Sequence, residues 1–213
     1  MGLWVKVCGI TRVEDARMVE KAGADAMGLI FSEASPRYVS LERASEICSA
    51  LSSRVQKVGV FVRPEWDRLG EVLDRLPLDI IQWHGGPLTR NEYARLSAFG
   101  LPWIHVIRWG GELPLEAPPG ASRLLVEGRS EKGLGGTGES WDYKSLSSIR
   151  WPLPLILSGG LAPGTVKGAL ASLSPSVPFG VDVSSGVESQ PGRKDEKKVG
   201  EFLEQVRSFE EKA

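Results

Sequence analysis

Thiols and imidazoles are scarce in this chain, with two cysteines and two histidines among 213 residues. Cys8 and Cys48 fall on segments of different type with no paired spacing, which removes support for a disulfide framework or a zinc site and leaves both as reduced thiols. An excess of one charge is lacking too: 26 lysines and arginines stand against 27 aspartates and glutamates, net −1, with the basic residues scattered. Neither a nucleic-acid footprint nor a membrane-surface patch is therefore expected. No apolar run approaches the length that spans a bilayer, and no basic segment followed by an apolar stretch opens the chain, so a cytoplasmic location is expected. The remaining composition, 41% hydrophobic and 25% charged, suffices for one well-buried core, and a single domain over residues 1–213 is the expectation.

Strand-length apolar runs recur eight times, at Leu3–Val7, Ala26–Phe31, Lys57–Val62, Asp79–Trp83, Trp103–Trp109, Arg123–Val126, Pro154–Leu157 and Phe179–Val183. Segments of helical period lie between most of them: Val13–Ala22, Leu41–Leu51, Pro64–Leu76, Arg90–Phe99, Trp141–Ile149, Pro163–Ser172 and Asp195–Phe209. Several runs are apolar on both faces, as in a parallel sheet covered by helices. The alternation predicts an α/β fold, a single small (β/α)8 or TIM barrel, with an open doubly wound sheet as the alternative. After the fifth strand, Gly110–Gly120 holds three prolines and three glycines, so the helix there is expected to be missing and replaced by an extended connection.

The stretch Lys6-Val7-Cys8-Gly9-Ile10-Thr11 carries chemistry. Side chains alternate along a strand, so Lys6 and Cys8 share one face at the strand's end. A thiol beside an ammonium and near helix-start amides is held partly as thiolate, able to take a proton or attack carbon, although a lone cysteine can equally be a small buried hydrophobe. In a (β/α)8 barrel the working residues sit where strands run into the βα loops. Polar residues fall at those places here: Cys8 on the first strand, Gln82 and His84 on the fourth, Arg108 on the fifth, Glu127 on the sixth, Ser158 after the seventh, and Asp182 with Ser184 on the eighth. Inside a barrel such side chains need partners or a ligand.

Two glycine-bearing turns follow the seventh and eighth strands, Ser158-Gly159-Gly160 and Ser184-Ser185-Gly186. Glycine lets backbone N–H groups approach an anion, serine adds hydroxyl donors, and the loops after strands seven and eight are the usual phosphate site of this fold. A phosphorylated small substrate is expected. Gly136-Thr137-Gly138, after the sixth strand, reads as a loop that closes over the ligand.

These motifs, in this order and over nearly the whole chain, resemble the phosphoribosylanthranilate isomerase family of tryptophan biosynthesis. The marks are Lys6 to Thr11, Ser35-Pro36-Arg37-Tyr38, Val58-Gly59-Val60-Phe61, Ile81-Gln82-Trp83-His84-Gly85, Gly135 to Gly138 with Trp141-Asp142, Leu157 to Leu161, and Gly180 to Glu188. The resemblance implies an Amadori rearrangement of N-(5-phosphoribosyl)anthranilate to 1-(2-carboxyphenylamino)-1-deoxyribulose 5-phosphate, with no metal or organic cofactor and with the phosphorylated sugar-anthranilate as the small-molecule partner. It places Cys8 as general base, and Arg37 against the anthranilate carboxylate, which a guanidinium fork suits. Gln82, His84 and Asp182 are expected to face the substrate, and Lys6 to be an interior ion paired with a carboxylate such as Asp182. One departure stands out. The family's acid is an aspartate ending the sixth strand, whereas this chain reads Leu124-Leu125-Val126-Glu127-Gly128. Glu127 is expected to serve as the acid, with Gly128 giving the backbone room to compensate for the added methylene. The competing readings are another phosphosugar barrel, such as an indole-glycerol-phosphate synthase or a ribulose-phosphate epimerase, and a non-catalytic sugar-phosphate sensor. The sequence leaves monomer or homodimer open. Cys48 is expected in a helix core, and Arg193 to Lys198 at the solvated start of the last helix.

Overall fold

A computed structural model describes residues 2–86, 88–110, 116–128 and 141–210. Eight parallel strands pair in sequence order and close on themselves: β1 (Trp4–Cys8), β2 (Ala26–Ile30), β3 (Gln56–Val62), β4 (Ile80–His84), β5 (Trp103–Trp109), β6 (Ala121–Gly128), β7 (Leu155–Leu157) and β8 (Gly180–Val183). The predicted barrel is present. Helices α1 (Val13–Lys21), α2 (Leu41–Ser49), α3 (Trp66–Arg75), α4 (Arg90–Ala98), α5 (Val166–Ser172) and α6 (Glu196–Glu210) surround it. None of these helices is long and apolar enough to cross a membrane.

Strand alternation divides the apolar residues into two sets. Trp4, Val58, Ile80, Ile104, Leu125 and Ile156 fill the barrel interior, while Val5, Val7, Phe61, Ile81 and Val181 pack outward against helix residues such as Val19, Ile47 and Phe202. Each large side chain taken fully out of water contributes about 1.5–3 kcal/mol. Helix starts follow the sequence as well. Ser40 accepts from the Arg43 amide at the head of α2, and Thr89 with Glu92 forms a reciprocal capping box at the head of α4. Cys48 is buried on α2, as expected.

Three local features matter for the site. The expected helix over Trp141–Ile149 is a single 3-10 turn, Tyr143–Leu146. Here the Asp142 carboxylate accepts from the Lys144 amide, and the Ser145 and Ser147 hydroxyls donate to the carbonyls of Asp142 and Lys144. Such local side-chain bonds compete with helical ones. Beyond β8, a 3-10 turn (Ser185–Val187) leads into a small antiparallel ribbon of β9 (Glu188–Gln190) and β10 (Arg193–Lys194), turned at Pro191-Gly192. Between β5 and β6 the described residues, 110 and 116–120, carry no helix, and residues 111–115 lie outside the description.

Candidate active site

The C-terminal ends of the strands surround a cavity of about 450 Å³. Eight of the residues expected at the site line it: Cys8, Arg37, Gln82, His84, Glu127, Ser158, Asp182 and Ser184. Gly159, Gly160, Ser185 and Gly186 continue the turns that begin at Ser158 and Ser184. Gly136, Thr137 and Gly138 fall outside the described residues.

Cys8 owes its place to the strand beside it. Gly28 is its register partner on β2, and a Cβ there would lie 2.6 Å from the Cys8 Sγ, so only glycine leaves room for the thiol. Two residues deeper, Lys6 and Asp182 are register partners on β1 and β8, and the ammonium lies 2.9 Å from the carboxylate, both side chains buried. This is the expected interior ion pair. It also corrects the expectation of a thiolate. Burial pushes the Cys8 thiol above its ordinary value, outweighing the nearby Lys6 ammonium, whose charge is largely answered by Asp182. In the free protein Cys8 is a thiol.

Glu127, buried near the end of β6, accepts from Arg108 Nε at 3.2 Å. Burial pushes its carboxyl above the ordinary range, with Arg108 acting in the opposite direction. Behind it stands His84, pushed down to about 3 by burial and by the cations Lys6 and Arg108, and therefore neutral. The Gln82 amide nitrogen lies 2.8 Å from His84 Nε2. With the amide donating, the imidazole proton sits on Nδ1, the nitrogen 4.0 Å from Glu127 Oε1. Gly128 does more than relax the backbone. A Cβ at this position would fall 2.3 Å from the Trp141 ring, so the indole lies directly against the residue after the acid.

Trp141 and Tyr143 also shape the turn after β7. The indole N–H donates to Ser158 O at 3.0 Å, and the tyrosine hydroxyl donates to Gly159 O at 2.5 Å. In a trans peptide the N–H points opposite to the C=O, so the Gly159 and Gly160 amides are turned away from these two rings. Gly159 and Gly160 have φ of +82° and +68°, a conformation that favours glycine. Ser158 Oγ approaches Asp182 Oδ2 at 3.5 Å, and Ser184 Oγ donates to Cys8 O at 3.1 Å, tying the turns to the chemical end of the cavity.

Arg37 is placed differently from a free fork. Its Nε and Nη2 donate to the two oxygens of Glu188 at 2.9 and 2.7 Å, and Lys194 Nζ donates to Glu188 Oε1 at 2.7 Å and to Ser184 O at 3.2 Å. Lys194 is thus not part of a solvated run, since its side chain is 0% exposed and its backbone amide donates to the Asp15 carboxylate. In the sequence Glu188 is only the last residue of a motif, and Lys194 falls in a charged run expected to be solvated. The legible signal was a carboxylate and a lysine flanking Pro191-Gly192, a tight turn that returns one to the other.

A parallel eight-stranded barrel whose strand ends gather a thiol, a raised carboxyl and a glycine turn around one cavity defines a (β/α)8-barrel enzyme. The family model described as N-(5'-phosphoribosyl)anthranilate (PRA) isomerase matches residues 5–205. An N-(5'-phosphoribosyl)anthranilate isomerase of Stutzerimonas stutzeri (strain A1501) is 44% identical over 207 residues, 95% of this chain and 96% of that protein. The crystal structure of phosphoribosyl anthranilate isomerase from Thermus thermophilus superposes with a TM-score of 0.84 at 30% identity, covering 97% of this chain and 100% of that one. A further phosphoribosyl anthranilate isomerase, solved in complex with reduced 1-(o-carboxyphenylamino)-1-deoxyribulose 5-phosphate, has a TM-score of 0.79 at 31% identity, covering 97% and 99%. The chain belongs to the N-(5'-phosphoribosyl)anthranilate isomerase family, and it is an enzyme, an isomerase.

Proposed function

We propose that this isomerase works in tryptophan biosynthesis by carrying out the Amadori rearrangement of N-(5-phosphoribosyl)anthranilate, with Glu127 as general acid and Cys8 as general base. The observation that carries this reading is that both side chains line one cavity together with Arg37 and the serines of two glycine turns. Glu127 protonates the furanose oxygen and the ring opens to an iminium ion. The Cys8 thiolate then removes the C2 proton to give the enolamine, which tautomerises to 1-(2-carboxyphenylamino)-1-deoxyribulose 5-phosphate. Arg37 meets the anthranilate carboxylate, and the Ser158–Gly160 and Ser184–Gly186 turns hold the phosphate. Gln82, His84 and Asp182 line the sugar's path, and the segment with Gly136, Thr137 and Gly138 covers the ligand. Residues 1–213 act as one cytoplasmic barrel domain, monomer or homodimer, which light scattering decides. Assay on freshly generated phosphoribosylanthranilate tests the activity: turnover supports it, and tight binding without turnover supports a sensor instead.

The electrostatics set a pH profile. The working form needs Glu127 protonated and Cys8 ionised, yet burial raises both groups. Between their two pKa values the prevalent form is the thiol with the carboxylate, and the working form is its proton tautomer, a constant minority across that window. A plot of log(kcat/KM) therefore rises through the Glu127 value, above the ordinary ~4.3, and falls through the Cys8 value, above the ordinary ~8.5. An alkaline limb below pH 8 would contradict the assignment.

The phosphate turn carries a second expectation. Tyr143→Phe frees the Gly159 carbonyl, a loss of about 1 kcal/mol in aiming the Gly160 amide. Steady-state kinetics should show KM up by roughly fivefold with kcat nearly kept. An unchanged KM would detach Tyr143 from the phosphate site.

A further inference from the structure

The cation at the mouth of the cavity is not Arg37 alone but a buried cluster of three side chains. Arg37, Glu188 and Lys194 carry side-chain exposures of 10%, 4% and 0%. A guanidinium has five N–H donors and two edges able to grip a carboxylate in a plane. Glu188 takes the side edge, through Nε and Nη2, which leaves Nη1 and the second N–H of Nη2 as an end edge without a partner among the described residues. The arginine stem is braced behind: Gly9 lies so close that a Cβ there would be 2.5 Å from Arg37 Cδ. Direction is thereby fixed, but a bare Arg37–Glu188 pair would be neutral and offer an anion little attraction. Lys194 answers that. One carboxylate between two cations leaves a net +1, and Gly192 N–H adds a contact to Glu188 Oε1 at 3.3 Å. Burial and long separation in sequence make this an expensive arrangement unless the charge faces something.

We propose that Glu188 and Lys194 are positioning residues for the ligand carboxylate: Glu188 selects the edge that Arg37 presents, and Lys194 keeps the cluster cationic. This rests on the reading above that Arg37 meets the anthranilate carboxylate. Through Ser184 O, which accepts from Lys194, the same cluster is linked to the turn assigned to the phosphate, so the spacing between the two anionic ends of the substrate is set by one set of contacts. The reaction needs that spacing, because the carbons between those ends must lie between Cys8 and Glu127.

Two synthetic ligands separate positioning from mere stability: the reduced 2-carboxyphenylamino product and its phenylamino counterpart lacking the carboxylate, each titrated calorimetrically into wild type, Glu188→Gln and Lys194→Met. Wild type prefers the carboxylate ligand. Glu188→Gln and Lys194→Met each weaken that ligand by roughly tenfold to a hundredfold and move the other by less than about twofold, the scale of the charge-assisted Arg37 contact that they aim. In kinetics the loss falls on KM more than on kcat. If Glu188→Gln fails to fold, Glu188→Asp takes its place, keeping the charge but shortening the reach, and again loses affinity for the carboxylate ligand alone; if Lys194→Met fails to fold, Lys194→Gln takes its place with the same expectation. Equal losses on both ligands, or a wild-type preference that survives in the variants, overturn the inference. A wild type that shows no preference overturns the Arg37 reading itself, and this inference with it.

Discussion

Turnover of phosphoribosylanthranilate falls by about 10²- to 10⁴-fold in Cys8→Ala and again in Glu127→Gln, the usual worth of a positioned acid or base. The glutamine is isosteric and keeps the hydrogen bond from Arg108 Nε, but has no proton to give the ring oxygen. Alanine at position 8 removes the only sulfur among the described residues that line the cavity, without crowding Gly28. Both variants should still bind the reduced product with near wild-type affinity, since neither side chain is assigned to its phosphate or carboxylate. The two residues act in successive steps of one path, so the double variant should lose little more than the slower single one. Near-wild-type rates in Glu127→Gln would move the acid elsewhere, and the neutral His84 with Nδ1–H toward Glu127 would be the group to test next.

The second large effect is on stability. Lys6→Met leaves the Asp182 carboxylate buried beside Ser158 Oγ at 3.5 Å, and Asp182→Asn leaves a fully buried ammonium without its carboxylate. Breaking one side of a buried pair costs about 3–5 kcal/mol. For a domain of this size that lowers the midpoint of thermal unfolding by roughly 6–20 °C. Calorimetry on both single variants and on the double variant checks it. The double variant should recover much of the loss, because the penalty lies in the stranded charge and not in the missing attraction. A double variant as unstable as the sum would argue against the pair. The pH dependence has a definite sign. Burial alone would lower the Lys6 amine, but Asp182 and Cys8 outweigh it and hold the amine above its ordinary value. Its stabilisation is complete below the unfolded value and is lost as pH rises through the folded one, at the alkaline end.

Much of the site could be read from strand ends. Once eight apolar runs alternate with helical segments, parity alone puts Lys6 beside Cys8, and Gln82 beside His84, on the interior face. Closure of the barrel then brings Glu127 and Cys8 to one cavity. The Lys6–Asp182 pair was legible for the same reason, because β8 must lie next to β1 when the sheet closes. Misreadings came where local chemistry overrides period. The apolar spacing of Trp141–Ile149 fits a helix, yet Ser145, Ser147 and Asp142 bond to the nearby backbone, and both aromatic rings turn to the strand-seven loop. Lys194 sits in a run of charges that reads as solvated, and the Pro191-Gly192 turn before it is the one local sign that it returns to Glu188.

Period and turn chemistry were thus enough to determine the architecture and the rim on which the polar residues stand, since both depend on interactions between neighbours in sequence or on a repeat, while the order of motifs carried the resemblance to the family. Tertiary structure alone decided which charge answers which. Arg37 and Glu188 are 151 positions apart, and their distance, like the burial that raises Cys8 and Glu127, exists only after the chain has closed around them. Ionisation follows the local dielectric and the nearest opposite charge, and neither of those is a property of residue order.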